Sequence, residues 1–352
     1  MSELVPRPRR SLFYRHPLRR ALLDTSVLST DVIAATRRKQ PSSFEAGARA
    51  GTVRAFIPAH VWEEMPRVLA DRKREGGKFD LDRALGIWFG RYAPVLFVVD
   101  TDSLPMTPEA EVLALEDPSD VGMLQLAAVI APVVLIATDD DLLRSNLASA
   151  DWIALRAALG KVGVTEGSMH DFEQASGFAI NGLTAAVGGA VRLARANPVA
   201  AGAVAMAAGA GALYWRRRAA VLERPARSGP GAFMTVLAEL GTRLGRIEGR
   251  HTQGEEVWQR AELGVPGDSL LHQVARTLAE SPQPMTRTAL LAVLEDPGNA
   301  SHTARMAELR ELLVGHPMFV DAGRGRWQIG RRGAEAPRPG TAQPDSERGT
   351  LP

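Results

Sequence analysis

Asp117-Pro118-Ser119-Asp120 opens a stretch that runs through Val121–Ile130 and Val133-Val134-Leu135-Ile136-Ala137 into Thr138-Asp139-Asp140-Asp141-Leu142-Leu143. The spacing predicts a helix opened by Asp120, with Leu124 and Ala127 on one face. A short apolar run, Val133–Ala137, follows and ends at Asp139. It is continuous rather than alternating, as expected of a strand buried on both faces.

The same pattern recurs upstream. Ala21–Leu23 ends at Asp24, Val53–Ile57 leads through Pro58 into a helical pattern reaching Leu69, and Val95–Val99 ends at Asp100. Short apolar runs separated by helices predict an open α/β sheet of parallel strands with flanking helices. Such sheets bind ligands outside the carboxyl ends of their strands. The acids at those ends are therefore the candidates for chemistry: Asp24, Asp139 and Asp141, with Asp120 at a helix start and Glu64 on the helix after Pro58. Carboxylates gathered from several elements suit one or two Mg²⁺ or Mn²⁺ ions and phosphodiester hydrolysis. Each acid also has a plain structural role open to it. Asp24 and Asp120 can cap helices, Glu64 beside Glu63 can face solvent, and Asp139–Asp141 can serve a helix start.

Beyond this region the character changes. Pro198–Trp215 is an uncharged stretch rich in alanine and glycine, closed by Tyr214, Trp215 and Arg216–Arg218, within a longer Ala/Gly-rich segment 178–216. It reads either as a membrane-contacting helix or as a soluble Ala-rich one. Residues 217–232 read as a linker. Residues 233–330 read as a helical region whose last part, 268–330, holds three short helices and a hairpin. The helices are Ser269–Ala279, Thr286–Leu294 and one opened by Ser301. Met318–Val320 and Arg326–Ile329 flank the Gly323-Arg324-Gly325 turn, which predicts the hairpin and hence a winged-helix unit. Residues 331–352, rich in proline, glycine and charge, read as a disordered tail.

The net charge is +2, so no overall basic field marks the chain for nucleic acid. Residues 1–19 form a basic arm: Arg7, Arg9, Arg10, Arg15 and Arg19, followed by Arg20, stand against a single acid, Glu3. The arm reads either as a phosphate-attracting element or as a solvated terminus. With no cysteine, disulfides, thiolate zinc sites and cysteine nucleophiles are excluded. That fits a cytoplasmic protein, or a membrane-associated one if 198–215 engages a bilayer. The excess of arginine over lysine resembles the usage of GC-rich bacterial genomes.

Roughly residues 20–160, within a domain read as 20–165, resemble the PIN-domain nucleases. The resemblance rests on the Asp-Pro-x-Asp start at Asp117–Asp120, the ending Thr138-Asp139-Asp140-Asp141-Leu142, the opening Leu22-Leu23-Asp24-Thr25-Ser26, and Pro58–Met65 with its glutamate. It implies a metal-dependent endoribonuclease acting on single-stranded or loop RNA with Mg²⁺ or Mn²⁺, and, as in toxin-like members, an inhibitor protein as a further partner. By position, Asp24, Glu64, Asp120 and Asp139 are the metal acids it implies, with Asp141 auxiliary and Ser26 a supporting hydroxyl. Many members carry Thr or Ser where this chain has Ala137. A shifted register would use Thr138 as that hydroxyl and Asp140 as the ligand.

His316-Pro317-Met318-Phe319 to Trp327-Gln328-Ile329-Gly330 resembles winged helices of the HARE type. In that reading Phe319 and Trp327 belong to the core, and Arg310, Arg324 and Arg326 are candidate nucleic-acid contacts. Such units bind DNA, RNA or protein. Two other functions stay open: a winged-helix DNA-binding regulator with a non-catalytic PIN-like interaction domain, and a membrane-tethered nuclease effector.

Overall fold

A computed structural model of the chain describes residues 19–38, 41–145, 147–166, 249–264, 267–294 and 301–339. The arm at 1–18, the segment 178–216 with Pro198–Trp215, the linker and residues 340–352 lie outside the described residues. Among the described residues, no helix is long and apolar enough to cross a membrane.

The first part of the chain is an α/β unit. Its elements are β1 (Arg19–Leu23), α1 (Thr25–Arg37), α2 (Ser43–Ala50), β2 (Val53–Pro58), α3 (Ala59–Arg74), α4 (Leu81–Ile87), β3 (Leu96–Val99), α5 (Pro108–Glu116), α6 (Val121–Ile130), β4 (Val134–Ile136), α7 (Asp140–Arg144) and β5 (Ala148–Ser149). Helical stretches 152–166 and 249–261 follow. Next come α8 (Leu270–Glu280), β6 (Met285–Thr286), α9 (Arg287–Val293), α10 (His302–Gly315), β7 (Phe319–Asp321), β8 (Arg326–Ile329) and β9 (Arg331–Arg332).

The main sheet has six strands in the order β5-β4-β1-β2-β3-β9. The first five are parallel, and β9 closes the β3 edge in the antiparallel sense. The chain starts at the middle with β1, moves outward through β2 and β3, then crosses back to place β4 on the other side of β1. The order therefore reverses between β1 and β4, and the crevice of an open α/β sheet opens at that reversal.

Side chains alternate across a strand, and the arginines of β1 and β2 show what lies on each face. Arg20 reaches Glu280 of α8 at 3.1 Å, and Arg54 donates to the Leu278 carbonyl at 2.8 Å, so α8 covers one face. Arg19 reaches Glu166 at 2.9 Å and also Glu255, so the stretches 152–166 and 249–261 cover the other. Arg19 and Arg20 thus depart from the arm reading. Both are buried in β1, because acids far away in sequence neutralise them.

Residues 270–329 carry α8, α9 and α10 with a separate antiparallel sheet ordered β6-β8-β7. Ser269, Thr286 and Ser301 each accept a bond from a backbone N–H at the start of their helices. Phe319 is buried, and Trp327 packs against the core.

The reading of 331–352 as disordered fails for 331–339. Gly333 N–H donates to the Leu96 carbonyl at 3.0 Å, and the Trp62 indole donates to the Pro337 carbonyl at 2.9 Å. Gly330, at φ 62°, lies so close to the Val98 carbonyl that a Cβ would collide with it. The segment is ordered because it satisfies the open edge of β3, a demand that its own composition does not display.

Candidate metal centre

The β1–β4 crevice is built by register. Leu23 pairs with Ile136, and the N–H of Asp24 donates to the Ile136 carbonyl at 3.1 Å. Asp24 therefore stands beside the segment leaving β4, which carries Asp139. Asp24 caps α1, its Oδ2 accepting from the Ser26 N–H at 2.9 Å and from the Ser26 hydroxyl. Asp139 caps α7, its Oδ1 accepting from the Asp141 N–H at 2.8 Å. For these two residues the capping role is real, and these cap bonds fall on Oδ2 of Asp24 and Oδ1 of Asp139. Glu64, one turn into α3, accepts from the Thr25 hydroxyl at 3.2 Å and from Arg67 at 3.1 Å. Its neighbour Glu63 is exposed.

Asp120 departs from the capping alternative. It sits at the N-cap position of α6, yet its side chain caps nothing. Burial pushes its carboxyl up to about 7, and Asp24, Asp117, Asp139 and Glu64 add to the shift in that order. Asp24 is also raised, by burial above all; hydrogen bonds from Ser26 and Thr25 oppose the shift and Asp139 reinforces it. Asp24, Glu64, Asp120 and Asp139 thus act on one another in a single partly desolvated cleft. Asp141 stands apart in an ion pair with Arg144.

The two registers at the end of β4 draw on different groups. Ala137 is fully buried and offers no hydroxyl, whereas Thr138 donates to the Ser26 hydroxyl at 2.8 Å. The acid acting on Asp24 and Asp120 is nevertheless Asp139, with Asp140 exposed.

Sequence reasoning missed Asp117, Thr25 and His60. His60 precedes Glu64 by four residues, one helical turn, and that spacing was the available signal. Its Nε2 is buried without a hydrogen-bond partner. Burial lowers the pKa of the ring, although Glu64, Asp24, Glu63 and Asp117 pull the other way. Gly122 lets α6 approach: a Cβ there would lie 2.6 Å from the Thr101 hydroxyl and 3.4 Å from His60 Cε1.

These groups fit a divalent cation. Several carboxylates and an orphaned buried nitrogen share one cleft, and Arg67, which pairs with Glu64 there, is itself exposed. Their ligand atoms do not close into a group of three within 4.8 Å of one another. The described group that does close is Glu166, His251 and Glu255. It lies toward the other end of β1, roughly 16 Å from Asp24 at about 3.3 Å per strand residue. There the Arg19 guanidinium already supplies the positive charge, contacting both Glu166 and Glu255.

Arg310, Arg324 and Arg326 are exposed on the C-terminal unit. Arg324 has φ 58° at the hairpin tip. That unit meets the α/β unit where His316 faces Asp100 and Ser103, after β3.

No protein-family model, curated protein or solved structure matches this chain.

Proposed function

We propose that the chain is a metal-dependent endoribonuclease of PIN type whose C-terminal unit is a winged helix. The observation that carries this reading is Asp120, an N-cap aspartate that caps nothing and is driven to about 7 by burial and by other acids. Placing such a group among Asp24, Glu64 and Asp139 costs folding free energy, and a bound cation offsets that cost. Residues that break a stability rule cluster at functional sites.

Asp24, Glu64, Asp120 and Asp139 would hold one or two Mg²⁺ or Mn²⁺ ions. When bound, the metal supplies Lewis acidity and a water of lowered pKa for attack on a phosphodiester. The chain's own residues orient the ligands: the Ser26 hydroxyl fixes Asp24, the Thr25 hydroxyl fixes Glu64, and the Asp141 N–H fixes Asp139. The order β6-β8-β7 with α8, α9 and α10 supports the winged-helix reading. The exposed face of α10 mixes Arg310 with Glu308 and Glu311, so the wing arginines Arg324 and Arg326 are the better phosphate contacts.

The test is incubation of the full chain with mixed RNA and Mn²⁺, beside EDTA and the Asp24→Asn and Asp139→Asn proteins. The full chain is required because α8 and β9 complete the α/β unit. Cleavage should vanish in EDTA and fall by orders of magnitude in both variants, with Glu63→Gln close to the parent. Wild-type cleavage in both Asn variants would sink the metal-site reading.

A further inference from the structure

The two flanks of the cleft differ in charge. On the α5–α7 side, Glu109, Glu111, Glu116 and Asp140 are exposed, and Arg144 is consumed by Asp141 and Glu116. Val112 and Leu115 are exposed among them. This flank repels a polyanion.

The α1–α3 seam is the opposite. Arg67 is 72% exposed and lies 3.1 Å from Glu64. Arg72 donates to the Thr30 hydroxyl at 3.0 Å and reaches the Ser26 carbonyl at 3.5 Å, so it stands beside the residue that fixes Asp24. Farther along, Arg37 and Lys73 are exposed, while Asp71 is paired with Arg74. Along α3, Arg67 lies about 4.5 Å and Arg72 about 12 Å beyond Glu64, at about 1.5 Å per residue. A few nucleotides cover that distance, at about 3.4 Å per residue of one strand. Arg67 is held only by an exposed ion pair, and such pairs bind weakly. A cation held by Glu64 would compete with this ion pair and leave the guanidinium free to meet an incoming phosphate.

Resting on the ribonuclease reading, we infer that the RNA strand leaves the carboxylate cleft along the α1–α3 seam, with Arg67 and Arg72 holding its phosphates. Both are positioning residues. They fix the strand relative to the acids and take no part in the chemistry.

The experiment measures binding of a fluorescein-labelled 12-nucleotide oligouridine to full-length Asp24→Asn protein in Mg²⁺ across a NaCl series. Arg67→Ala and Arg72→Gln are each added to that background. Each should weaken binding by roughly three- to tenfold at 100 mM NaCl and reduce the salt slope by about 0.7, the value for one phosphate contact on a single strand. In the otherwise wild-type enzyme, the same changes should raise KM and leave kcat nearly unchanged. Arg260→Ala, an exposed arginine outside the seam, and Glu109→Gln should stay within about twofold of the parent. The inference is overturned if the two seam variants bind like the parent, if Arg260→Ala weakens binding as much, or if the parent does not bind at all. Wild-type cleavage with Mn²⁺ separates the two failures. Cleavage alongside unaffected seam variants removes the strand path alone, whereas no cleavage removes the ribonuclease reading.

Discussion

Thr138 reaches the Ser26 hydroxyl twice, from its backbone N–H at 3.1 Å and from its own hydroxyl at 2.8 Å. Ser26 in turn donates to Asp24. One hydroxyl therefore ties the end of β4 to the acid at the end of β1, and the geometry of the crevice depends on it. Ser26→Ala should lower the single-turnover cleavage rate by about 10- to 100-fold, as is typical when a group that orients a metal ligand is lost. Thr138→Val should have a smaller effect, because its backbone N–H remains. A Ser26→Ala enzyme with parental rate and metal affinity would remove the relay from the mechanism.

Metal-free stability should fall as pH rises toward neutrality. The Asp120 carboxyl is raised from 3.8 to about 7, so folding favours its protonated form. That contribution is fully present below the ordinary value and is lost as pH rises through about 7. Asp24, raised in the same direction, adds to the trend. In EDTA, the melting midpoint should be higher at pH 5.5 than at pH 7.5. Asp120→Asn should raise the midpoint at pH 7.5 and flatten the profile. Mg²⁺ should stabilise the parent at pH 7.5 more than the variant, since a ligand stabilises only the state that binds it. A flat parental profile between these pH values contradicts the electrostatic picture of the cleft.

His60 offers a separate test. Replacing a buried polar group that has no partner with an apolar one of similar bulk is neutral or stabilising. His60→Leu should therefore keep or raise the metal-free melting midpoint. If Nε2 serves the site, cleavage should fall by about tenfold or more even so. Lower stability with undiminished cleavage would assign His60 to packing.

Much of the crevice was legible because its signals are local. Val133–Ala137 is apolar on both faces and Val53–Ile57 is apolar but for Arg54, and they became β4 and β2 with their ends within a residue or two. The site acids sit at strand ends or helix starts, where periodicity breaks. What stayed hidden is non-local. Arg19 and Arg20 look like part of a solvated arm until Glu166, Glu255 and Glu280 are brought to them. The two-residue strands β5 and β9 are too short for any period to register, and their pairing partners alone define them. The raised carboxyl of Asp120 depends first on its burial and then on Asp24, Asp117, Asp139 and Glu64, of which only Asp117 lies near it in sequence, so most of the signal is non-local.

Arg54 tests how α8 is held. It is fully buried without a carboxylate partner, its pKa is lowered to about 9 by burial, and it lies 4.2 Å from the Phe97 ring centroid. It donates to the Leu278 carbonyl at 2.8 Å and also to that of Ser281, at the end of α8. Arg54→Ala leaves both carbonyls without this donor and opens a cavity, at a cost of about 3 kcal/mol. Arg54→Met should recover much of that loss, because it refills the volume and removes a desolvated charge. Urea unfolding measures both. Equal destabilisation by the two substitutions would mean that the hydrogen bonds, and not the packing, hold α8.

The C-terminal strap provides the last test. β9 covers the β3 edge, Arg332 donates to the Pro94 carbonyl at 3.1 Å, and the Trp62 indole is satisfied by Pro337 at 2.9 Å. A chain ending at Ile329 loses all three and exposes a strand edge that can pair with other chains. It should melt roughly 6–12 °C lower, on the basis of about 3 kcal/mol and 2–4 °C per kcal/mol for a unit of this size, and it should aggregate in a concentration-dependent way. Gly330→Ala attacks the same strap from within the full-length chain. An L residue at φ 62° is strained, and its Cβ meets the Val98 carbonyl, so either the β7–β8 hairpin or β9 must shift. If the strap acts as one piece, Gly330→Ala should reproduce most of the truncation's loss in melting temperature. Trp62→Phe, which removes the indole N–H and part of the buried ring's volume, should cost about 2–4 kcal/mol. A truncated chain that melts like the parent and stays monodisperse would show that the α/β unit holds its edge without the strap.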